Sequence, residues 1–347
     1  MIKSVESFLS GFPDKVCDQI ADGLVDEYLR RDPDAHVNLH VLGSQGMFMI
    51  GGEVHSKADF DISEIAKHIY KRIGYQDEVE IFVNIHEVSD SLYKNKKSNL
   101  AIVNGYATRE TREYLPKPLV YVHDLSRRLD NLRKIDPSLH WIGPDGRIQL
   151  IMDGQIMTHI TLFIQHLPTV SLLEVQKYFL DHIFSSFFKS SSIKIAINPF
   201  GSFVQGGLFL QGGMSGRASH IDFYGGLIPS GSVSLSGRDP QQIERAGAYM
   251  ARYVAKQLVA QGLVDAVMIC LTYTGVLNEL PIIEVRPVVG KQNKSKEELT
   301  KFVKENYDFR TEAIVEFLHL KQPFYEAASV YGQFGREGFP WEEINML

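Results

Sequence analysis

Residues 6–15 read ESFLSGFPDK, and this stretch closes on the start of a helix. Pro13 suits the first turn, where its missing N–H costs nothing. Apolar residues then recur at every fourth position across residues 16–28, which is the spacing of an amphipathic helix. Two charged residues, Asp14 and Lys15, are therefore predicted at the N-terminal end of this helix.

Strand and helix patterns alternate beyond this helix. Two strand-like runs, residues 37–42 and 47–55, are joined by a Gly-Ser-Gln-Gly turn. A helical pattern around residues 65–73 and an alternating strand across residues 79–85 follow. Residues 86–99 are polar and predict a surface loop. The sequence therefore predicts an α+β fold.

Size and composition restrict the class of protein. The 347 residues exceed one ordinary domain, and 44% hydrophobic with 22% charged residues is the balance of a soluble globular protein. A net charge of −6 argues against a nucleic-acid partner, so an anionic ligand needs locally clustered Lys and Arg. The two cysteines lie among apolar residues, no signal region precedes Lys3 and Glu6, and the apolar run at 264–277 is too short for a membrane span. We expect a cytoplasmic protein with no membrane segment and a core strand at 264–277.

Glycine is concentrated in residues 201–238, which hold ten of the 28 glycines. Glycine adopts left-handed conformations and lets backbone N–H groups approach an anion, but hairpin turns use it equally. Both interpretations stay open from the residues alone.

The next helix has clear end signals. Asp239 is predicted as its N-cap, Pro240 as its first residue, and Gly262 as its end. Arg245, Arg252 and Lys256 share the face opposite the apolar one. This basic stripe predicts either a solvated surface or a cradle for polyphosphate.

Motifs from one end of the chain to the other resemble those of S-adenosylmethionine synthetases. The stretch at 6–15 is similar to the family's ESVSEGHPDK, and the matches that follow keep the family's order: GGE at 51–53, GYATRET at 105–111, INP at 197–199, DFYGG at 222–226, SGRDP at 236–240, ARYVAK at 251–256 and YGQFGREGFPWE at 331–342. The resemblance implies an enzyme that joins L-methionine to the adenosyl group of ATP and splits the released tripolyphosphate into phosphate and pyrophosphate.

The resemblance also implies a fold and an assembly. Three similar α+β domains would lie about a pseudo-threefold axis, interleaved in sequence, with approximate ranges 1–100 (joined by part of 222–240), 101–221 and 241–347. The protein would be a homodimer, or a tetramer, with active sites between subunits.

The roles of individual residues follow from the resemblance in the same way. It implies Mg²⁺ ligands at Asp14 and Asp265, and catalytic cations at Lys15, Arg147, Arg238 and Lys256. The residues that would bind or surround the substrates are Glu53, Asn99, Asp145, Arg217, Asp222, Asp239 and Arg245.

The chain departs from the family pattern at several of these positions. Phe12 replaces the family's histidine near the triphosphate, and Asn99 replaces an aspartate that would meet the methionine ammonium group. His40 replaces the carboxylate that would bind K⁺, which argues against K⁺ activation. Arg147 and Arg238 stand where the family has lysine.

These departures leave three hypotheses for the function. The first is an S-adenosylmethionine synthetase with altered kinetics. The second is a paralogue that applies the same adenosyl-transfer or triphosphatase chemistry to another thioether, nucleotide or tripolyphosphate. The third is a non-catalytic binding subunit, against which the retained Asp14, Lys15, Lys256 and Asp265 argue.

Overall fold

The structure is a computed structural model that describes residues 2–89, 100–185, 193–232, 234–275, 280–288 and 290–345. The strands are β1 (Ile2–Phe8), β2 (His36–Ser44), β3 (Met47–His55), β4 (Glu80–Glu87), β5 (Leu100–Thr108), β6 (Ile142–Asp153), β7 (Ile156–His166), β8 (Lys194–Ile197), β9 (Gly213–Met214), β10 (Ala266–Thr274) and β11 (Ile282–Pro287). The α-helices are α1 (Pro13–Arg31), α2 (Ile62–Ile73), α3 (Lys117–Ile135), α4 (Leu172–Tyr178), α5 (Ser219–Tyr224), α6 (Ile243–Ala260), α7 (Lys296–Asn306), α8 (Thr311–Phe317) and α9 (Tyr325–Ala328). Short 3₁₀ turns at Pro137–Leu139, Gly207–Phe209 and Pro340–Glu342 and a π-helical segment at Phe179–Phe184 complete the list.

Three sheets exchange strands along the chain. Their strand orders are β1-β6-β7-β8, β4-β3-β2-β9 and β11-β10-β5. The first strand of the chain thus pairs with β6, β5 pairs with β10, and β9 returns to pair with β2. This exchange confirms the predicted interleaving of α+β units. The sheets therefore do not follow the linear ranges 1–100, 101–221 and 241–347 strand by strand.

The local predictions for the first hundred residues agree closely with the structure. Helix α1 begins at Pro13, β3 spans the predicted 47–55, and α2 and β4 cover the predicted helix and strand. The predicted loop at 86–99 is wrong at residues 86 and 87, which belong to β4, and residues 90–99 lie outside the described part of the chain. The apolar run at 264–277 contains the core strand β10. No helix in the described ranges has the length and apolarity to cross a membrane.

The predicted start of α6 is wrong by three residues. The helix begins at Ile243 and Gln242 occupies the cap position. Asp239 does not cap it, because its carboxylate accepts the N–H groups of Val37 at 2.8 Å and Gln241 at 2.7 Å. Asp239 thereby ties the chain to β2. The predicted end is confirmed, since Gly262 is left-handed (φ 73°) two residues beyond the helix.

Both α1 and α6 are buried on nearly all sides. The buried hydrophobic side chains of both helices belong to the largest apolar cluster, together with the inner faces of two sheets. A second cluster lies beneath β6 and β7. The buried charged residues of these two helices consequently need partners inside the protein.

Candidate active site

The N-terminal end of α1 borders a cleft of about 350 Å³ between β1, β6 and α5. We call it the arginine cleft, since Arg147 and Arg217 line it together with Asp14. The Asp14 carboxylate is 2.7 Å from Arg217 Nη2 and accepts the N–H of Met214 at 3.0 Å. Arg147 also lines the cleft, and its Nε donates to Glu6 Oε2 at 2.9 Å. The structure thus brings three of the predicted residues together.

The glycine-rich segment wraps around the start of α1. Gly213 packs so closely that a Cβ atom there would lie 2.2 Å from the carbonyl oxygen of Pro13. The N–H of Gly216 donates to Asp18 at 2.7 Å, next to the Met214 bond to Asp14. These amides serve carboxylates of the protein. At residues 213–216 the glycines therefore shape the chain, as in a turn, and their backbone amides are used within the protein.

Lys15 lies beneath the arginine cleft and is fully buried. Its Nζ is 2.6 Å from Asp18 Oδ2 and also contacts Asp222. Burial alone would lower the pKa of Lys15, but Asp18 and Asp222 raise the pKa above its usual range. Lys15 is therefore a fixed positive charge behind Asp14.

A second cleft of about 720 Å³ lies at the edge of the sheet β4-β3-β2-β9 and runs towards α8. We call it the glutamate cleft. Glu53 and Arg238 line it, and both are direct cross-strand neighbours of Asn38, so the three residues form one row across the sheet. Arg238 Nη1 lies 3.0 Å from Glu244 Oε1. A predicted methionine ligand and a predicted phosphate ligand thus share a cleft.

Glu244 is a candidate that the sequence analysis missed. It lines the glutamate cleft beside Arg238, in the first turn of α6. The available signal was an acidic residue in a first helical turn, six residues beyond a predicted phosphate ligand. His40 lies on β2 two residues beyond Asn38, and burial together with Arg238 lowers the pKa of His40. Burial raises the pKa of Asp239, which also lines this cleft, to about 6.

Of the two interpretations of the basic stripe on α6, the solvated surface is wrong, because the three side chains of the stripe are buried. Arg245 and Asp22 form a pair at 2.6 Å with both side chains fully buried. Arg252 and Lys256 lie 2.8 Å and 2.9 Å from Glu342. Residues distant in sequence cover the stripe. Roles for Arg245 and Lys256 at the substrate stay predictions.

Comparison with known proteins decides the family. Models of the S-adenosylmethionine synthetase N-terminal, central and C-terminal domains match residues 1–97, 95–203 and 205–343 in turn. The chain belongs to the S-adenosylmethionine synthetase family. It is 33% identical over 367 residues to an S-adenosylmethionine synthase of Aquifex aeolicus, an alignment that covers 100% of this chain and 97% of the relative. The corresponding protein of Petrotoga mobilis is 32% identical over 393 residues, with the same coverage.

Membership of the S-adenosylmethionine synthetase family confirms two predictions. The fold is that of three α+β domains about a pseudo-threefold axis, and the chain is an enzyme of the methionine adenosyltransferase class. Similarity along the whole chain favours this activity over the paralogue and the non-catalytic subunit. The family also implies a divalent metal.

The predicted metal ligands of this synthetase do not meet within one chain. Asp265 lies in a surface turn before β10, 3.3 Å from Arg109 and bonded to the N–H of Lys291, outside both clefts. The described residues contain no group of three or more metal-binding side chains. Carboxylates such as Asp14 nevertheless suit a metal that arrives with phosphate oxygens, because Mg²⁺ commonly takes only one or two protein ligands.

The structure describes the surroundings of the predicted substrate-binding residue Asp145 but not those of Asn99. Asp145 is buried and accepts the N–H of Gly207 at 2.7 Å, and burial raises the pKa of Asp145 to about 7. It thereby orders the glycine-rich segment at Gly207. Asn99 lies outside the described residues, so its proposed role stays a prediction.

Proposed function

We propose that this chain is a cytoplasmic, Mg²⁺-dependent methionine adenosyltransferase that acts on ATP and L-methionine as a homodimer. The observation that carries the proposal is the division of the candidate residues between two clefts. Asp14, Arg147 and Arg217 line one, whereas Glu53 and Arg238 line the other. The phosphate candidates Arg147 and Arg217 thus lie apart from Glu53 and Arg238, and a site made from one cleft of each subunit would bring all of them together.

The chemistry explains why cations dominate the candidate residues. The methionine sulfur attacks C5′ of ATP in line and has no proton to lose, so no general base is needed. Catalysis depends on positioning and on stabilising the tripolyphosphate as it leaves. Arg147, Arg217 and Arg238 would hold the phosphates, and Glu53 would hold methionine. Asp14 and phosphate oxygens would hold Mg²⁺, which would neutralise part of the negative charge on the leaving tripolyphosphate.

An apolar row on the sheet β4-β3-β2-β9 supports the dimer. Met214, Leu42, Met49 and Phe82 are consecutive cross-strand neighbours, and each side chain is about half exposed. Side chains an even number of positions apart on a strand share a face, so this row lies on the same face as Glu53. A second subunit packed on the row would therefore lie beside the glutamate cleft.

Mixing two inactive variants tests the shared site. Arg147→Ala disables the arginine cleft and Glu53→Ala the glutamate cleft. If each site takes one cleft from each subunit, a co-refolded equal mixture regains about a quarter of wild-type activity, because half of the dimers are mixed and each carries one intact site. Each variant refolded alone is the matched control. A mixture no more active than its parts would contradict the shared site.

A product assay tests the substrates. The enzyme is incubated with ATP and Mg²⁺, with and without L-methionine, and S-adenosylmethionine, phosphate, pyrophosphate and tripolyphosphate are resolved. We expect S-adenosylmethionine, phosphate and pyrophosphate only when methionine is present. Methionine-independent release of phosphate, without S-adenosylmethionine, would favour the paralogue.

Free Cys17 and Cys270 are consistent with the reducing cytoplasm.

A further inference from the structure

A histidine that the sequence analysis did not single out lines the arginine cleft. His220 is exposed on the short helix α5, and shares the cleft with Asp14, Arg147 and Arg217. We propose that His220 is a catalytic residue that donates a hydrogen bond to the departing tripolyphosphate. This inference rests on the proposed function and adds a residue to its site.

The other cationic groups of the cleft already have partners. Arg147 donates to Glu6, and Arg217 pairs with Asp14 at 2.7 Å. Gln149 also donates to Glu6, at 3.1 Å. Within the described ranges His220 has no hydrogen-bond or ion-pair partner. It is therefore a donor of this cleft whose hydrogen-bonding capacity is wholly available to a phosphate oxygen.

The wall next to His220 cannot supply a donor. Phe8 and Phe12 stack with their ring centres 3.9 Å apart, and they pack against Ala218 and Ile221. Ala218 precedes α5 and Ile221 follows His220 in that helix. The apolar cluster thus fixes the segment that carries His220. Phe12 lies behind the cleft residue Phe8 and occupies the position where the family resemblance implies a histidine, so His220 places an imidazole in the cleft from a different element.

The reaction benefits from a hydrogen-bond donor at the tripolyphosphate oxygen that leaves C5′. As the sulfur lone pair forms the S–C5′ bond, the C5′–O bond breaks and its electron pair moves to the terminal oxygen of tripolyphosphate. Sulfur becomes a sulfonium cation and no proton is transferred. A hydrogen bond from His220 to the phosphate oxygens would stabilise the growing negative charge. Imidazole can donate whether neutral or protonated.

Two variants and two readouts test the role of His220. The readouts are kcat for S-adenosylmethionine formation and the affinity for inorganic tripolyphosphate with Mg²⁺, measured by calorimetry. We expect His220→Ala to lower kcat about 10- to 100-fold and to weaken tripolyphosphate binding, with a smaller change in KM for methionine. His220→Gln, which keeps an N–H donor, should recover part of both losses. His68→Ala, at an exposed position of α2, is the matched control and should change neither.

A double variant adds a positive test. In the His220→Ala background, Phe12→His should raise kcat about tenfold, since it returns a donor to the aromatic wall next to position 220. Wild-type kcat and tripolyphosphate affinity in a folded His220→Ala protein would overturn the proposal. If the wild-type protein forms no S-adenosylmethionine, the proposed function fails, but the tripolyphosphate titration still decides whether His220 binds the anion.

Discussion

The rings of Phe8 and Phe12 lie parallel to within 5°, and Arg147 sits above the Phe8 ring at 5.7 Å. The position that departs most sharply from the family pattern is thus part of an ordered aromatic wall. Phe12 has not left a hole where a histidine was expected. The stacking of Phe8 and Phe12 therefore determines the expected effect of replacing Phe12 by the family's histidine.

We predict that Phe12→His alone raises kcat less than about twofold, because His220 already supplies a donor in the wild-type cleft. It should also lower the free energy of unfolding by about 1–2 kcal/mol, since it removes a stacked aromatic pair. Steady-state kinetics and urea unfolding check these two results. A tenfold rise in kcat in the otherwise wild-type protein would instead identify an enzyme impaired by Phe12.

We predict that K⁺ does not activate the enzyme. His40 stands where the resemblance implies a K⁺-binding carboxylate, and nearby Arg238 adds positive charge. Replacing K⁺ by tetramethylammonium at constant ionic strength should change kcat less than about twofold, or roughly 0.4 kcal/mol. A several-fold loss of rate would mean that another group binds the ion.

Met49→Asp should convert the protein to inactive monomers. Met49 lies in the middle of the apolar row between Leu42 and Phe82, and a charge there would be buried by a second subunit. Light scattering measures the mass and the product assay measures activity. Ile135→Asp, at a residue 79% exposed at the end of α3, is the control and should stay dimeric. A dimeric Met49→Asp protein would exclude this face as the interface.

Arg245→Met should lower the free energy of unfolding by about 3–5 kcal/mol, because it leaves Asp22 as a buried charge without its partner. Urea unfolding measures the change. Arg30→Met, in a solvent-exposed pair with Glu27, should change stability by less than about 1 kcal/mol. An equally small effect at Arg245 would contradict the structural role of the buried pair.

The sequence was sufficient to predict helices and strands whose signals lie within a few neighbouring residues. Pro13 and the four-residue apolar spacing located α1, and alternating runs located β3 and β4, because these signals act within a few positions. The burial and the ion-pair partners of the basic stripe on α6 could not be predicted in this way. Arg245 meets Asp22 from 223 positions away, and Arg252 meets Glu342 from 90 positions away. Helical periodicity shows that side chains share a face and does not show what covers it.

The same limit applies to the candidate site. Motif matching gave Asp14, Arg147, Arg217, Glu53 and Arg238, but only the strand exchange divides them between two clefts. Glu244 and His220 were missed because each is an ordinary polar residue in its local sequence. Their significance comes from neighbours supplied by other elements.

The carboxylate of Asp26 links α1 to α9. It accepts the N–H groups of Tyr325 and Glu326, both at 2.9 Å, and burial raises the pKa of Asp26 to about 7. Burial likewise raises the pKa of Asp22, one turn earlier on the same helix, to about 6. The folded protein therefore keeps these protons over a pH range in which the unfolded chain has lost them.

Stability should consequently fall as pH rises between about 4 and 7, by up to about 1.4 kcal/mol per pH unit for each such group. Asp26→Asn removes one of these groups and should flatten the dependence. It should also cost about 1–3 kcal/mol at pH 5, because an amide presents only one acceptor to two N–H donors. Urea unfolding of both proteins at pH 5, 6, 7 and 8 measures the slopes, with exposed Asp59→Asn as control. Parallel pH profiles for wild type and Asp26→Asn would show that Asp26 has the same pKa in the folded and unfolded chains.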